Sequence, residues 1–186
     1  MNININDIKN GMTIIMDNNL CLIQDFQHVK PGKGPAFVRI KLKNLRTGSI
    51  VEDTYNTNIK VQKAHIDKQD VSFLYVDGDN YVFMNNETYE QFEVSKNVLK
   101  EKLPYIKEGL NISIEFFEGE IIGVNLPEKV EYLVTEAEPA VKGNTATNTF
   151  KDAKIETGYT VKVPLFISEG ETIIISTKDG SYSGRA

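Results

Sequence analysis

The chain has a single cysteine, Cys21, two histidines and no tryptophan among its 186 residues. One cysteine excludes an internal disulfide and is typical of a reducing compartment. With so few thiol and imidazole groups, a zinc site is not expected. Apolar runs are short, since the strongest one, residues 173–175, is far below the roughly 18 residues of a membrane span. The N-terminal segment also lacks a basic stretch followed by an apolar one, so we expect neither a secretory signal nor a membrane partner.

Charge is distributed unevenly, although its formal sum is only −5. Residues 1–64 carry nine Lys and Arg against five Asp and Glu, whereas the remaining residues carry twelve against twenty-one. Between Lys30 and Arg46, six cations occur without a single acid. A dense basic segment on an acidic protein indicates contact with a polyanion at one end, the alternative being an ordinary solvated strand face.

Alternation with a period of two recurs along the chain, and it predicts a mainly β protein built of short strands. In the predicted strand 36–45, three apolar residues alternate with three cations. The apolar residues are Val38, Ile40 and Leu42, and the cations are Arg39, Lys41 and Lys43. Because alternate side chains of a strand face opposite sides, we expect the apolar residues to face a core and the cations to share an outer face.

Helical spacing is scarce. One helix is predicted over residues 94–105, where Val98, Leu99 and Leu103 recur at helical spacing and Ser95 is a candidate N-cap. The polar segment 142–148 is predicted to be an exposed loop.

Two segments in the second half of the chain resemble each other. Residues 109–119 and 158–170 both begin with glycine, continue as an alternating strand and end in a Glu-Gly turn. This weak internal repeat predicts two small barrels of the same type.

Motifs for catalysis are lacking. We find no Gly-x-Ser-x-Gly elbow, and Gly32-Lys33-Gly34 lacks the glycine spacing and the hydroxyl residue of a phosphate-binding loop. Cys21 lies among leucine and isoleucine and is interpreted as a small core residue. The sequence therefore predicts no catalytic residue, no metal ligand and no enzyme. An accessible lysine is the one feature that would support the alternative hypothesis of a small enzyme.

One loop has a distinctive composition. It consists of Lys30, Pro31, Gly32, Lys33, Gly34 and Pro35. Glycine permits close approach of the backbone to a partner, and proline limits the entropy lost on docking. Such a loop can carry Lys33 into a confined anionic site, the alternative being an ordinary surface lysine in a turn.

Four groups of motifs follow one another along the chain. They are residues 28–39 with 45–48, residues 77–84 with 87–91, residues 116–124, and the pattern Lys151-x-Ala153, Gly158, Val161-x-Val163-Pro164, Ile167, Gly170. In this order they resemble the three domains of bacterial translation elongation factor P (EF-P). The resemblance extends over the whole chain and agrees with domain bounds at residues 1–64, 65–127 and 128–186.

The resemblance implies an SH3-like (KOW-type) barrel followed by two OB-fold barrels in an L shape that mimics tRNA. It further implies a cytoplasmic factor that binds both ribosomal subunits between the peptidyl and exit sites. There it contacts peptidyl-tRNA, stimulates peptide-bond synthesis and relieves stalling at consecutive prolines. The functional lysine of the family matches Lys33, which in many members carries an extension added by a lysine-modifying enzyme. Pro35 departs from the polar or small residue of many members, so the modification of Lys33, if any, stays open.

The candidate site therefore centres on Lys33, as the modified residue and the peptidyl-tRNA contact, without a metal or a separate cofactor. The other residues of the loop flank it. An RNA-binding face is expected to consist of Arg39, Lys41, Lys43 and Arg46. We expect a monomer, because no long apolar stripe indicates a dimer interface.

Two other hypotheses involve the same folds. A generic single-strand nucleic-acid binder needs a basic groove lined by aromatic residues, whereas the presumed OB barrels are the acidic part of this chain. An EF-P-like paralogue shares the three barrels, but the Pro-Gly-Lys-Gly segment argues against it. The related eukaryotic and archaeal factor is excluded in its usual form, because it lacks a third barrel.

Overall fold

Strands dominate the computed structural model, which describes residues 1–140 and 149–186. The predicted loop over 142–148 lies outside these residues. The described residues form sixteen strands: β1 Asn2–Asn4, β2 Thr13–Met16, β3 Asn19–Val29, β4 Phe37–Asn44, β5 Ile50–Asn56, β6 Lys60–Lys63, β7 Asp67–Asp77, β8 Asn80–Asn85, β9 Gln91–Ser95, β10 Asn111–Phe117, β11 Glu120–Asn125, β12 Lys129–Ala137, β13 Phe150–Ile155, β14 Thr160–Pro164, β15 Thr172–Ser176 and β16 Ser181–Arg185. The predicted all-β class is confirmed.

Helical structure in the described residues is limited to the α-helix α1, Lys96–Leu99, and the 3-10 segments Ile5–Asp7 and Lys100–Tyr105. None of these is long and apolar enough to cross a membrane.

The predicted helix over 94–105 is only partly correct. Ser95 does cap it, because its Oγ accepts a hydrogen bond from the backbone N of Asn97 at 3.3 Å. The α-helix then ends at Lys100, whose φ of +43° lies in the left-handed region, and Pro104 supplies no backbone N–H to the segment that follows. Leu99 is buried, whereas Val98 is exposed, so the apolar stripe predicted for this helix is wrong at Val98.

Three sheets organise the strands. The first has the order β1-β6-β2-β3-β4-β5, the second β11-β10-β7-β8-β9 and the third β14-β13-β12-β15-β16. If the five strands of each sheet are numbered in chain order, the second and third sheets both have the order 5-4-1-2-3 from one edge to the other. The shared order agrees with the internal repeat in the sequence. In the third sheet the end strands β14 and β16 also lie in contact, so this sheet curls towards a barrel.

Alternation along β4 produces a one-sided core in the first sheet, as predicted. Val38 and Ile40 are fully buried and Leu42 nearly so, and they pack in one cluster with Cys21. Burial, with a smaller contribution from the charge of Asp17, raises the pKa of the Cys21 thiol. The interpretation of Cys21 as a core residue is therefore confirmed.

Contacts within the chain define two compact units. One comprises Met1–Lys68 with Glu115–Gly123, and the other Gln69–Ile114 with the described part of Val124–Ala186. The three sheets occupy residues 2–63, 67–125 and 129–185. The domain bounds at 1–64, 65–127 and 128–186 stay a prediction.

Hydrogen bonds within the second unit tie the 3-10 segment to the third sheet. The Tyr132 hydroxyl donates to the backbone O of Tyr105, and the Thr157 hydroxyl donates to that of Pro104, both at 2.5 Å. Tyr132 is fully buried, and this burial raises the pKa of its hydroxyl, with further contributions from Tyr105 and Glu156.

Candidate functional site

A long hairpin formed by β3 and β4 carries the lysine loop. The two strands pair as far as Val29 opposite Phe37, and β5 runs along the other side of β4, where Phe37 lies opposite Asn56. The loop over residues 30–36 therefore begins and ends on backbone that hydrogen bonds hold in place.

The loop itself is exposed along its whole length from Lys30 to Pro35. Gly34 has a φ of +102°, a conformation that side chains with a Cβ rarely adopt, so this turn requires glycine. A methyl group added at Gly32 or Gly34 would meet nothing within 4 Å. Lys33 thus lies between two residues that leave space for a partner to approach the backbone.

The outer face of the first sheet carries both positively and negatively charged side chains. Arg39, Lys41 and Lys43 lie on one face of β4, as the alternation predicts. Their neighbours across the sheet include acids, because Asp25 of β3 and Glu52 of β5 lie opposite Lys41 on its two sides. Side chains of residues directly opposite each other share a face. The cations are therefore interleaved with carboxylates rather than forming a uniform patch.

One ion pair on the outer face is direct. The Nε atom of Arg39 lies 3.6 Å from Oε1 of Glu52, and about half of each side chain is exposed. Sequence reasoning missed the acids because their positions depend on strand register. The register between β3 and β4 shifts between Ile23 and Asp25, where an irregularity changes which residues lie opposite each other.

Arg46, the fourth predicted cation of the RNA-binding face, lies beyond the end of β4 in a tight turn. Oδ1 of Asn44 accepts hydrogen bonds from the backbone N atoms of Arg46 at 2.9 Å and Thr47 at 3.1 Å. The guanidinium binds Glu120 in a bidentate manner, with Nε 3.2 Å from Oε1 and Nη2 3.0 Å from Oε2. These hydrogen bonds, together with the opposite charges, raise the pKa of Arg46 and lower that of Glu120.

The structure thus brings three of the four predicted RNA contacts and the whole lysine loop onto one hairpin. Arg46 is engaged elsewhere, and Glu120 as its partner was not predicted. Their pairing joins positions 74 apart, which no local pattern in the sequence reveals. Among residues 1–140 and 149–186, no three His, Cys, Asp or Glu side chains are placed to hold a metal ion.

Comparison with known families accounts for nearly the entire chain. Residues 4–61 match the elongation factor P KOW-like domain, residues 66–124 the elongation factor P OB domain and residues 130–185 the elongation factor P C-terminal domain. The chain belongs to the elongation factor P family. This membership confirms the resemblance drawn from the motifs, and with it the KOW-like and OB character of the domains. Elongation factor P is a translation factor, so membership implies interaction with the ribosome and tRNA in general terms.

Solved structures agree with this assignment. The chain is similar to eukaryotic translation initiation factor 5A from Methanococcus jannaschii, with 26% identity and a TM-score of 0.50, over 67% of this chain and 95% of that one. It is also similar to a translation initiation factor 5A family protein from Naegleria fowleri, with 18% identity and a TM-score of 0.56, over 68% of this chain and 98% of that one. The second likeness concerns the fold alone. The alignments cover almost all of both proteins but only about two-thirds of this chain. About one-third of this chain therefore has no counterpart in either protein.

Proposed function

We propose that this elongation factor binds the ribosome between the peptidyl and exit sites and speeds peptide-bond synthesis at consecutive prolines. Lys33 is the residue that acts, by contacting peptidyl-tRNA. The observation that carries the proposal is the exposed loop from Lys30 to Pro35 at the end of the β3–β4 hairpin, in a chain of this family. The partners are both ribosomal subunits and peptidyl-tRNA, with a lysine-modifying enzyme as a further partner if Lys33 carries an extension. The protein acts in the cytoplasm as a monomer, without a separate cofactor and without catalytic residues of its own.

Geometry of the loop suits delivery of a charge into a narrow site. A lysine side chain reaches about 6 Å from its backbone, by bond lengths like those of the main chain. Gly32 and Gly34 flank Lys33 without a Cβ, so the backbone can follow the side chain into a confined space. A covalent extension of Lys33 would lengthen this reach without any change of the fold.

Positioning explains how one lysine can accelerate a reaction that the ribosome itself catalyses. Proline is a poor participant in peptide-bond formation, because its ring fixes φ and restricts how the attacking amine meets the nascent chain. The rate of such a step depends on holding the two reactants in alignment. A cation near the terminal backbone of peptidyl-tRNA offsets phosphate repulsion and holds that end in place. A barrier lower by about 1.4 kcal/mol gives a tenfold faster reaction, and one charge-assisted contact can supply this.

The test is synthesis of a Pro-Pro-Pro peptide on purified ribosomes, with and without the wild-type protein. We expect at least about a tenfold faster appearance of the tripeptide product. A message of the same length without proline is the matched control, and its rate should change by less than about twofold. Equal stimulation of both messages would contradict the assignment to proline stalling. Strong binding to free single-stranded RNA without any stimulation would favour the generic OB-fold binder instead.

Ribosome binding should depend on Lys41 of the outer face. Reversal of its charge in Lys41→Glu removes one phosphate contact and places three carboxylates in a row with Asp25 and Glu52. We expect weaker binding to ribosomes. The slope of the logarithm of the binding constant against the logarithm of the salt concentration should be shallower by about one unit. The measurement is the dissociation constant for ribosomes across a series of salt concentrations.

The control for this reversal is Lys162→Glu on β14, which makes the same change of net charge in the third sheet. Lys162 is exposed, and its Nζ lies 2.5 Å from Oδ1 of Asp152. If net charge alone governed binding, the two variants would behave alike. An unchanged slope for Lys41→Glu would remove the outer face from the proposed interface.

A further inference from the structure

The bidentate pair of Arg46 and Glu120 joins two turns that are distant in sequence. Arg46 lies between β4 and β5 of the first sheet, and Glu120 is the first residue of β11 in the second sheet. Two hydrogen bonds, 3.2 Å and 3.0 Å long, match the planar guanidinium to both carboxylate oxygens. This is the geometry in which an arginine pair is most directional.

Both side chains project from well-defined turns. Oδ1 of Asn44 accepts two backbone hydrogen bonds on the Arg46 side, and the backbone N of Gly48 donates to the O of Asn44 at 2.8 Å. On the other side, Glu118 and Gly119 both have positive φ values, of +49° and +81°, which is typical of a tight hairpin turn. The pair therefore forms with little loss of backbone freedom.

Contacts within the chain support a mechanical role for this turn. Glu120 belongs to the second sheet, yet Glu115–Gly123 groups with Met1–Lys68 in one compact unit. Arg46 makes a direct polar link in this grouping through its ion pair with Glu120. Its side chain is therefore placed to hold the turn against the first sheet.

We propose that Arg46 and Glu120 are a positioning pair for the action of Lys33. They hold the first sheet, which carries the lysine loop, on the β10–β11 turn, so that the loop is already oriented when the factor docks. Arg46 then acts through Glu120 rather than by contacting RNA, in contrast to Arg39, Lys41 and Lys43. The proposal rests on the proposed function for its consequence in translation, but not for the link itself.

The physical reason lies in competition for the guanidinium. A phosphate would bind the same N–H groups that the Glu120 carboxylate already occupies, so an RNA contact would first have to displace that carboxylate. The pair is partly exposed, at 41% and 51% for the two side chains. Exposed ion pairs have modest strength, and we therefore expect effects of a few-fold rather than complete loss of activity.

The first experiment measures the link in the free protein, without ribosomes. NMR relaxation of backbone amides reports the tumbling of residues 1–64 separately from that of the rest of the chain. We expect Arg46→Ala and Glu120→Ala each to give residues 1–64 faster independent tumbling, with no further change in the double variant. Lys162→Ala, which breaks an exposed ion pair inside the third sheet, is the matched control and should leave the tumbling of residues 1–64 unchanged. Unaltered tumbling in Arg46→Ala would overturn the proposal.

The second experiment measures synthesis of the Pro-Pro-Pro peptide against the concentration of factor. Arg46→Glu and Glu120→Arg should each lower the maximal stimulation about two- to fivefold, with the salt slope of ribosome binding unchanged. The double variant Arg46→Glu with Glu120→Arg, which restores opposite charges, should return it to within about twofold of the wild type.

An RNA contact predicts a different pattern. Arg46→Glu would then weaken binding and lower the salt slope, Glu120→Arg would not rescue it, and Glu120→Gln would strengthen binding by releasing Arg46. Any of these three results overturns the positioning role. If instead the wild-type protein fails to stimulate Pro-Pro-Pro synthesis, the proposed function fails, while the tumbling data still decide whether the pair holds the two turns together.

Discussion

Replacement of Lys33 by alanine is expected to lower the stimulation of Pro-Pro-Pro synthesis by at least about tenfold. Ribosome binding should change by no more than about twofold, because the cations of the outer face remain. The lysine contributes only when the reacting ends are aligned, so its loss should reduce the maximal rate rather than the affinity. The measurement is the rate of tripeptide formation at several concentrations of the variant, with affinity for ribosomes determined in parallel.

Lys30→Ala is the matched control in the same loop. It removes an equal charge three residues earlier, where the backbone leaves β3. We expect it to weaken binding slightly, through one lost phosphate contact, and to keep the maximal rate. Full activity of Lys33→Ala with intact binding would refute the assignment of Lys33, and an equal loss of rate in both variants would indicate that the loop contributes charge without a specific contact.

Lys33→Arg tests whether the positive charge of Lys33 is sufficient or whether modification of its amine is required. Arginine keeps the positive charge but presents a planar guanidinium, and it lacks the amine that a lysine-modifying enzyme uses. If charge alone matters, the arginine variant should retain most of the stimulation. If the extension of Lys33 is required, it should resemble the alanine variant, and the intact mass of wild-type protein from its native host should exceed the unmodified value by a defined group.

The parts of the fold that follow from local alternation could be predicted from the sequence. The strand β4 is the clearest case, because Val38, Ile40 and Leu42 are buried as a set while the cations between them face outward. The turn before β3 has a local cause too, since Asp17 and Asn18 both have positive φ values in a two-residue hairpin turn. In both cases a few neighbouring residues contain the physical cause.

Strands without apolar alternation could not be predicted in this way. The predictions did not include β1, β6, β13 and β16, of which β1, β6 and β16 are short and largely polar. Strand β1 forms because it pairs with β6, where Asn2 lies opposite Gln62, and neither has apolar alternation of its own. Their stability comes from hydrogen bonds to sheets that other strands have already built.

The same limit applies to the candidate site. Composition and alternation identified the loop and the three cations of β4, because all of these lie within one stretch of chain. The acids Asp25 and Glu52 reach the outer face through strand register, and Glu120 reaches Arg46 through the arrangement of separate turns. Predicting them requires the three-dimensional fold, since no spacing in the sequence connects these residues.

Substitution of Gly180 by alanine is expected to cause the largest loss of stability. Gly180 is buried with a φ of +74°, a conformation that costs alanine about 1–2 kcal/mol. Its added methyl would lie 2.5 Å from the hydroxyl oxygen of Tyr105 and closer still to that of Tyr159. The Tyr159 hydroxyl donates to the backbone O of Gly180 at 3.1 Å, and the two tyrosine rings pack edge to face at 5.5 Å. The methyl must therefore displace a hydrogen-bonded, partly buried pair.

Loss of such hydrogen bonds costs about 1–3 kcal/mol, so together with the backbone cost we expect Gly180→Ala to lower the free energy of unfolding by about 2–5 kcal/mol. Gly170→Ala is the control, because Gly170 has a similar φ of +85° but open space around the position of the new methyl. It should cost only the backbone part, about 1–2 kcal/mol. Both are measured by urea unfolding monitored by circular dichroism. In a Tyr159→Phe background, which removes the nearer hydroxyl, Gly180→Ala should cost less than in the wild type. Equal losses for the two glycine variants would show that backbone strain alone acts at Gly180 and that the tyrosine pair yields without cost.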